Sequence, residues 1–332
     1  MRPLKFHPIL KQTLWGGERI IPYKELASGL SRVGESWELS GMPGSESVVA
    51  EGPWAGSTLS ELIGRFGAEL LGKANYARFG QEFPLLVKFI DAREDLSIQV
   101  HPDDATAKAR HDDELARKRH GKSGKCEMWY VLEAEPGASL LTGFSRPIAP
   151  AEYERRVADN TLTDVLNRQA IASGDVFYLP AGRVHSIGKG SFIVEIQQSS
   201  DITYRIYDFD RRDAAGNSRE LHTELAREAI DFESSENSRI TYAPENNQEV
   251  RLVTTPYFTT SLYTLTARTR CDWSATDSFV AIVLLQGSGS LTDNEGNRID
   301  VRQGETWLLP ASTQWTEITP HTAPLRLLTS RI

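Results

Sequence analysis

The sequence predicts a mainly β protein made of two barrel-like units with short helices added at their edges. Three observations carry that prediction. Apolar stretches are short and punctuated by Gly and Pro, as strands joined by tight turns require. Only a few stretches place leucines and alanines at helical intervals. A turn pattern that starts at Gly174 returns at Gly304, which is how a duplicated unit reads.

The first ninety or so residues alternate short strands, such as Glu35–Gly41 and Glu46–Gly52, with turns. One helix interrupts them around 57–72: Thr58 and Glu61 have capping-box spacing, leucines recur at helical intervals, and Gly72 suits a C-terminal cap. Phe83–Ala92 and Leu96–Pro102 read as buried strands. The polar stretch 103–120 reads as a solvated helix. Strands follow at Glu127–Glu135 and Ala138–Phe144, then helical residues around 150–168, then strands again at Gly174–Gly188 and Ser191–Ser200. Beyond Tyr207 the chain turns polar, and a last β segment starts near Asn246. The break near residue 240 divides the chain into units 1–240 and 241–332.

The chain has 332 residues, 39% hydrophobic and 25% charged, enough for a well-buried core. A net charge of -8 argues against a nucleic-acid surface, which needs clustered Lys and Arg. No run approaches the roughly 20 apolar residues that span a bilayer. Two cysteines, Cys126 and Cys271, make no disulfide framework, and the opening MRPLKFHPIL lacks an apolar leader core. The expectation is a cytoplasmic protein with neither nucleic-acid nor membrane partners.

In GDVFYLPAGRVH the frame is Gly174, Pro180, Gly182 and His185; GETWLLPASTQW repeats it with Gly304, Pro310, Ser312 and Trp315. The second copy keeps the turn and loses the histidine. This spacing resembles the second motif of the cupin jelly-roll family, so two cupin-like jelly-roll barrels are expected, with a metal site in the first alone. Its ligands are sought among oxygen and nitrogen side chains. Gln99 and His101 stand two apart before Pro102, so they share a face of a strand. Glu127 opens the next long strand, and His185 follows the turn. Singly, His101 reads as a strand-end histidine and Glu127 as a solvent-facing one; together the four donors suit zinc. His7, His111, His120, His222 and His321 are expected to be solvated, and Cys126, pointing away from Glu127, to be core.

SIQVHPDD, GKCEMWYVL, LPAGRVHSIG and SSDITYRIYDFDR, with LWGG and GESWELS before them, resemble the type I phosphomannose isomerases in their short bacterial form. The resemblance covers most of the chain and is weakest in the last ninety or so residues. It implies a zinc-dependent isomerase of mannose 6-phosphate and fructose 6-phosphate, with one Zn2+ per chain on Gln99, His101, Glu127 and His185. It also implies catalytic roles for Arg205, Glu195 and Asp201 and a substrate-binding lysine, Lys122 or Lys125, of which the GKCE spacing favours Lys125. Alternation independently turns Glu195 toward the barrel cavity. Lys88, inside a buried-looking strand, needs a partner or a function. It is expected to be catalytic and substrate-binding, helping to open the sugar ring or contacting an oxyanion, with a structural ion pair as the alternative. Arg205 is expected to bind substrate as well. The C2 base is open among Asp201, Glu195, His101 and a metal-bound hydroxide, and Trp15 and Trp37 read equally as core or substrate contacts. Two competing readings use the same scaffold: an Fe(II) cupin oxygenase, disfavoured by Gln99 where oxygenases carry histidine, and a non-enzymatic sugar-phosphate binder.

Overall fold

The computed structural model describes residues 1–111, 123–233 and 237–332. The fold is mainly β, as expected, and consists of two jelly-roll barrels with short helices around them. In the first barrel, a seven-stranded sheet runs in the order Arg239–Ile240, Val176–Leu179, Glu127–Ala134, Ser191–Gln198, Leu85–Ala92, Ile9–Gly17, Val33–Leu39. It faces a five-stranded sheet ordered Leu166–Ala170, Ser139–Phe144, His185–Ile187, Ile98–Val100, Tyr204–Tyr207. Trp129, Ile90, Phe177, Leu140 and Ile187 pack between the two at one end, and polar side chains occupy the other.

The second barrel pairs a six-stranded sheet with a four-stranded one. Leu4–Lys5 lies at the edge of the six-stranded sheet beside Thr306–Leu309. Its interior is filled by Trp307, Trp273, Ile282, Leu291 and their neighbours, so apolar packing replaces a polar site.

The backs of the seven- and six-stranded sheets share one core. Leu85, Val87, Phe89, Val194 and Ile196 meet Ala281, Val283, Leu308 and Leu328 there. Each such fully buried side chain contributes about 1.5–3 kcal/mol. This sandwiching explains most of the burial of Leu85–Ala92: Leu85, Val87 and Phe89 enter the shared core and even residues, Lys88 among them, face into the first barrel, while Asp91 is buried against Arg19.

Helices Leu59–Phe66 and Ala68–Leu71 occupy the 57–72 stretch, the first with the Thr58/Glu61 capping box formed. A further helix, Lys73–Phe79, follows. Asp104–Arg110 is helical, and residues 112–120 of the expected solvated helix, His120 among them, lie outside the described residues. The helix expected around 150–168 is shorter. It spans Pro150–Ala158, a 3-10 turn covers Leu162–Val165, and Leu166–Ala170 is a strand paired with Ser139–Phe144. Pairing with an existing sheet edge overrides the local helical preference there. Among the described residues, no helix is long and apolar enough to cross a membrane.

Candidate metal centre

Six strands bring the polar end of the first barrel together. Gln99 is central: its Cα pairs with His185 on one side and with Arg205 on the other. His101 follows just beyond the end of the Ile98–Val100 strand, and its carbonyl accepts the Gly182 N–H at 2.9 Å, which docks the repeated turn against it. Across the barrel, Glu195 pairs with both Trp129 and Lys88, and Gln197 with Glu127.

Lys125 arrives by a close backbone approach. A Cβ on Gly124 would lie 2.4 Å from the Asp103 carbonyl carbon, so glycine is needed for the segment to touch Pro102–Asp104. Lys125 N–H then donates to the Pro102 carbonyl at 3.0 Å. Its Nζ lies 2.9 Å from Glu127 Oε2 and 3.2 Å from His101 Nε2. Lys122 lies outside the described residues.

His101 Nε2 is 3.5 Å from Glu127 Oε2, His185 Nε2 is 3.2 Å from Glu127 Oε1, and the Gln99 amide is 3.3 Å from His185 Nε2. The ligand atoms of His101, Glu127 and His185 all lie within 4.8 Å of one another, so the three could hold a metal ion. Both imidazoles are already oriented for it. His101 Nδ1 donates to the Ile202 carbonyl at 2.7 Å and His185 Nδ1 to the Arg183 carbonyl at 2.8 Å. A carbonyl can only accept, so each Nε2 carries a lone pair toward Glu127. The Glu127 carboxylate is fully buried, yet neither oxygen accepts a hydrogen bond of good geometry. A buried carboxylate that faces two imidazole lone pairs, with the Lys125 ammonium beside one oxygen at 2.9 Å, has room for a further cation.

The electrostatics agree. Burial lowers the pKa of both histidines, His185 to about 4 and His101 well below its usual value, so both are neutral near pH 7. Burial, followed by repulsion from Glu195, raises Glu127 to about 7. Burial would raise Glu195 also, but the Lys125 and Lys88 ammoniums outweigh it and hold Glu195 down at about 2. Lys88 Nζ lies 3.3 Å and Lys125 Nζ 3.7 Å from Glu195 Oε1, while Trp129 Nε1–H donates to Oε2 at 2.9 Å. Burial pulls the Lys88 pKa down, but Glu35 and Glu195 more than compensate and the net shift is upward.

These residues open onto a cleft of about 830 Å³ bordered by Lys88, Gln99, Lys125, Glu195, Asp201 and Arg205. The Asp201 carboxylate makes no hydrogen bond or ion pair among the described residues. Arg205 is not taken up by a surface ion pair: Asp208 binds Arg219 instead, Nε to Oδ2 at 2.7 Å. Arg205 Nη1 donates to the Glu220 carbonyl at 3.0 Å, and its Nε is buried without a partner. Two histidines expected to be solvated border the cleft as well. His111 Nε2 contacts Tyr204 Oη at 2.8 Å, and His222 Nδ1 accepts the Arg205 backbone N–H at 3.2 Å.

Sequence reasoning missed Glu35. Its Oε2 accepts Trp37 Nε1–H at 2.6 Å and lies 3.9 Å from Lys88 Nζ. Strand alternation, which puts Glu35 on the face of Trp37, was the available signal. Arg219 was also missed, because it returns to the cleft through an irregular polar segment without periodicity.

Residues 4–135 match the family described as phosphomannose isomerase type I, catalytic domain. A probable mannose-6-phosphate isomerase of Bacillus subtilis, GmuF, is 34% identical over 311 residues, 93% of each chain. A mannose-6-phosphate isomerase of Streptococcus mutans is 33% identical over 93% of this chain and 92% of its own. The crystal structure of the mannose 6-phosphate isomerase from Bacillus subtilis superposes with a TM-score of 0.88 over all of both chains at 29% identity. A putative mannosephosphate isomerase from Archaeoglobus fulgidus shares the fold at a TM-score of 0.77 and 21% identity, over 99% of this chain and 98% of its own. Similarity at this level across nine-tenths of the sequence, on a barrel that gathers His101, Glu127 and His185 beside a cleft, places the chain in the type I phosphomannose isomerase family.

Proposed function

We propose that the protein interconverts mannose 6-phosphate and fructose 6-phosphate with one Zn2+ per chain, held by Gln99, His101, Glu127 and His185. The observation that carries the metal part is the spacing of the donors. Atoms bound to one zinc at about 2.0–2.2 Å in a tetrahedron lie about 3.3–3.6 Å apart. Here Glu127 sets Oε2 3.5 Å from His101 Nε2 and Oε1 3.2 Å from His185 Nε2, the Gln99 amide lies 3.3 Å from His185 Nε2, and the His101, Glu127 and His185 ligand atoms fall within 4.8 Å of one another, close to that spacing. The Gln99 amide turned half a rotation presents Oε1 in place of Nε2. When bound, zinc supplies Lewis-acid stabilisation of charge on the sugar oxygens.

The side chains divide the remaining work. Aldose–ketose conversion moves a proton between C2 and C1 through an enediol, so one carboxylate must take and return it. Asp201 suits that role, because its carboxylate is unengaged beside the cleft. Glu195 suits a positioning role: held near a pKa of about 2 by two ammoniums, it is a poor proton acceptor at neutral pH. It keeps Lys88 and Lys125 in the cleft wall, where they donate hydrogen bonds to the developing oxyanion. Arg205, held by the Glu220 carbonyl at its guanidinium and by the His222 imidazole at its backbone N–H, meets the phosphate end of the substrate and supplies binding energy away from the reacting carbons.

A coupled assay of fructose 6-phosphate formation, on chelator-stripped protein before and after zinc addition, tests this reading. The expected result is zinc-restored turnover. Folded protein that turns over mannose 6-phosphate with no divalent metal supplied would sink the zinc assignment, and folded protein inactive with every divalent metal would sink the isomerase.

A further inference from the structure

Lys24 and Glu38 form a buried ion pair outside the metal centre: both side chains are 4% exposed and Nζ lies 2.8 Å from Oε2. Ser36 Oγ–H donates to Glu38 Oε1 at 2.6 Å. Lys24 Nζ also donates to the carbonyl of Gly304, in the second barrel. Gly304 opens the repeated turn that has lost its histidine. A Cβ placed on it would lie 2.9 Å from Lys24 Cα, so this turn and the Lys24 backbone are in direct contact. Tyr23, the residue before, donates to the Leu285 carbonyl at 2.6 Å, a second tie to the same barrel.

The position of Glu38 in its strand gives the pair a consequence. Val33–Leu39 pairs with Leu85–Ala92 so that Trp37 faces Lys88 and Leu39 faces Val87. The register slips between them, and Glu38 is the extra residue of a β-bulge, a device that re-aims neighbouring side chains. Those neighbours are Glu35 and Trp37, and both touch Lys88. Glu35 Oε2 is 3.9 Å from Nζ, and Nζ stands 5.0 Å over the Trp37 ring.

A buried ion pair returns little net stability compared with apolar side chains of the same volume. Its distinctive contribution is geometric, because a short charged contact fixes distance and direction where apolar packing would slide. We infer that Lys24 and Glu38 are positioning residues: the pair pins the bulge to the second barrel and thereby sets Glu35 and Trp37, which direct Lys88 into the cleft. The second barrel, whose interior is packed with apolar side chains, thus takes part in the reaction. The inference rests on the proposed isomerase reading and on Lys88 acting in it.

The test uses the zinc-loaded full chain. Lys24→Met/Glu38→Leu removes both charges together, and Lys24→Gln/Glu38→Gln is a polar alternative. Melting curves and zinc content establish folding and metal loading before kinetics. Expected in a folded variant are one zinc per chain, a kcat about tenfold lower and a KM changed less than about threefold. Combined with Lys88→Met, the pair substitution should cost nothing beyond Lys88→Met alone, because both act on one group. A kcat within about twofold of wild type would overturn the inference, as would losses that multiply in the combined variant. So would a fully active Lys88→Met, or failure of both pair variants to fold, which would make the pair a folding requirement. A wild-type protein without isomerase activity would refute the functional reading itself and take this inference with it.

Discussion

Replacing Glu195 by glutamine keeps the shape of the side chain and removes its charge from between two ammoniums. Lys88 lies at 3.3 Å and Lys125 at 3.7 Å. At an effective dielectric constant of about 20, these contacts are worth about 5 and about 4.5 kcal/mol before desolvation is subtracted. Removing one partner of a buried pair leaves the others uncompensated and costs about 3–5 kcal/mol net. With an unfolding entropy of about 2.1 cal/mol/K per residue, a chain of 332 residues gains about 0.7 kcal/mol/K at the midpoint, so the melting temperature should fall by about 4–7 °C. Displaced ammoniums should also lower kcat about a hundredfold. Calorimetry and the coupled isomerase assay read both. A melting temperature that stays within about 1 °C would refute the claim that Glu195 neutralises the two lysines. Loss of kcat without loss of stability would point instead to direct proton transfer by Glu195.

Further outcomes follow from the same geometry. His185→Ala should bind less than one zinc per chain after dialysis and lose turnover, as metal analysis alongside the assay will show; full occupancy would remove His185 from the ligand set. Asp201→Asn should lower kcat by about a hundred- to ten-thousandfold and leave zinc content and KM near wild type, whereas an unchanged kcat would exclude Asp201 as the base. Zinc affinity should rise about tenfold per pH unit up to about pH 7 and then level off. The sign follows from Glu127, whose raised pKa near 7 makes its proton the one displaced, while His101 and His185 are already neutral. Titration calorimetry in buffers of different ionisation enthalpy should count about one released proton at pH 6 and nearly none at pH 8; no release at pH 6 would refute the assignment. A chain ending at residue 240 should be insoluble or molten, since it uncovers Leu85, Val87, Phe89 and Val194; a soluble, active fragment would show the shared core to be dispensable.

The sequence was most legible where a repeat distance maps directly onto geometry. Period two turned Glu195 inward, and the spaced Gly–Pro–Gly frame announced the turn that delivers His185. Lys88 stood out because a charge inside an apolar strand must be compensated. Legibility failed where position depends on segments returning from elsewhere in the chain. Arg219 and His222 reach the cleft through an irregular stretch anchored by Asp208, and nothing local announces it. Leu166–Ala170 became a strand because Ser139–Phe144 offered an edge, a tertiary effect invisible to helical spacing. The bulge at Glu38 is a property of two paired strands and exists in neither alone.

The strand Leu4–Lys5 pairs with Leu308 and Trp307, at the far end of the sequence. At a synthesis rate of about 5–20 residues per second, it waits roughly 15–60 s on the ribosome before its partner exists. During that interval Leu4 has no sheet to join, while most of the first barrel has already emerged. The second barrel therefore takes an edge strand made about 300 residues before its partner, and that pairing closes a loop of the chain between them. An extension placed ahead of Leu4 would act on this closure, and its effect would appear in the yield of native protein rather than in the chemistry of the cleft.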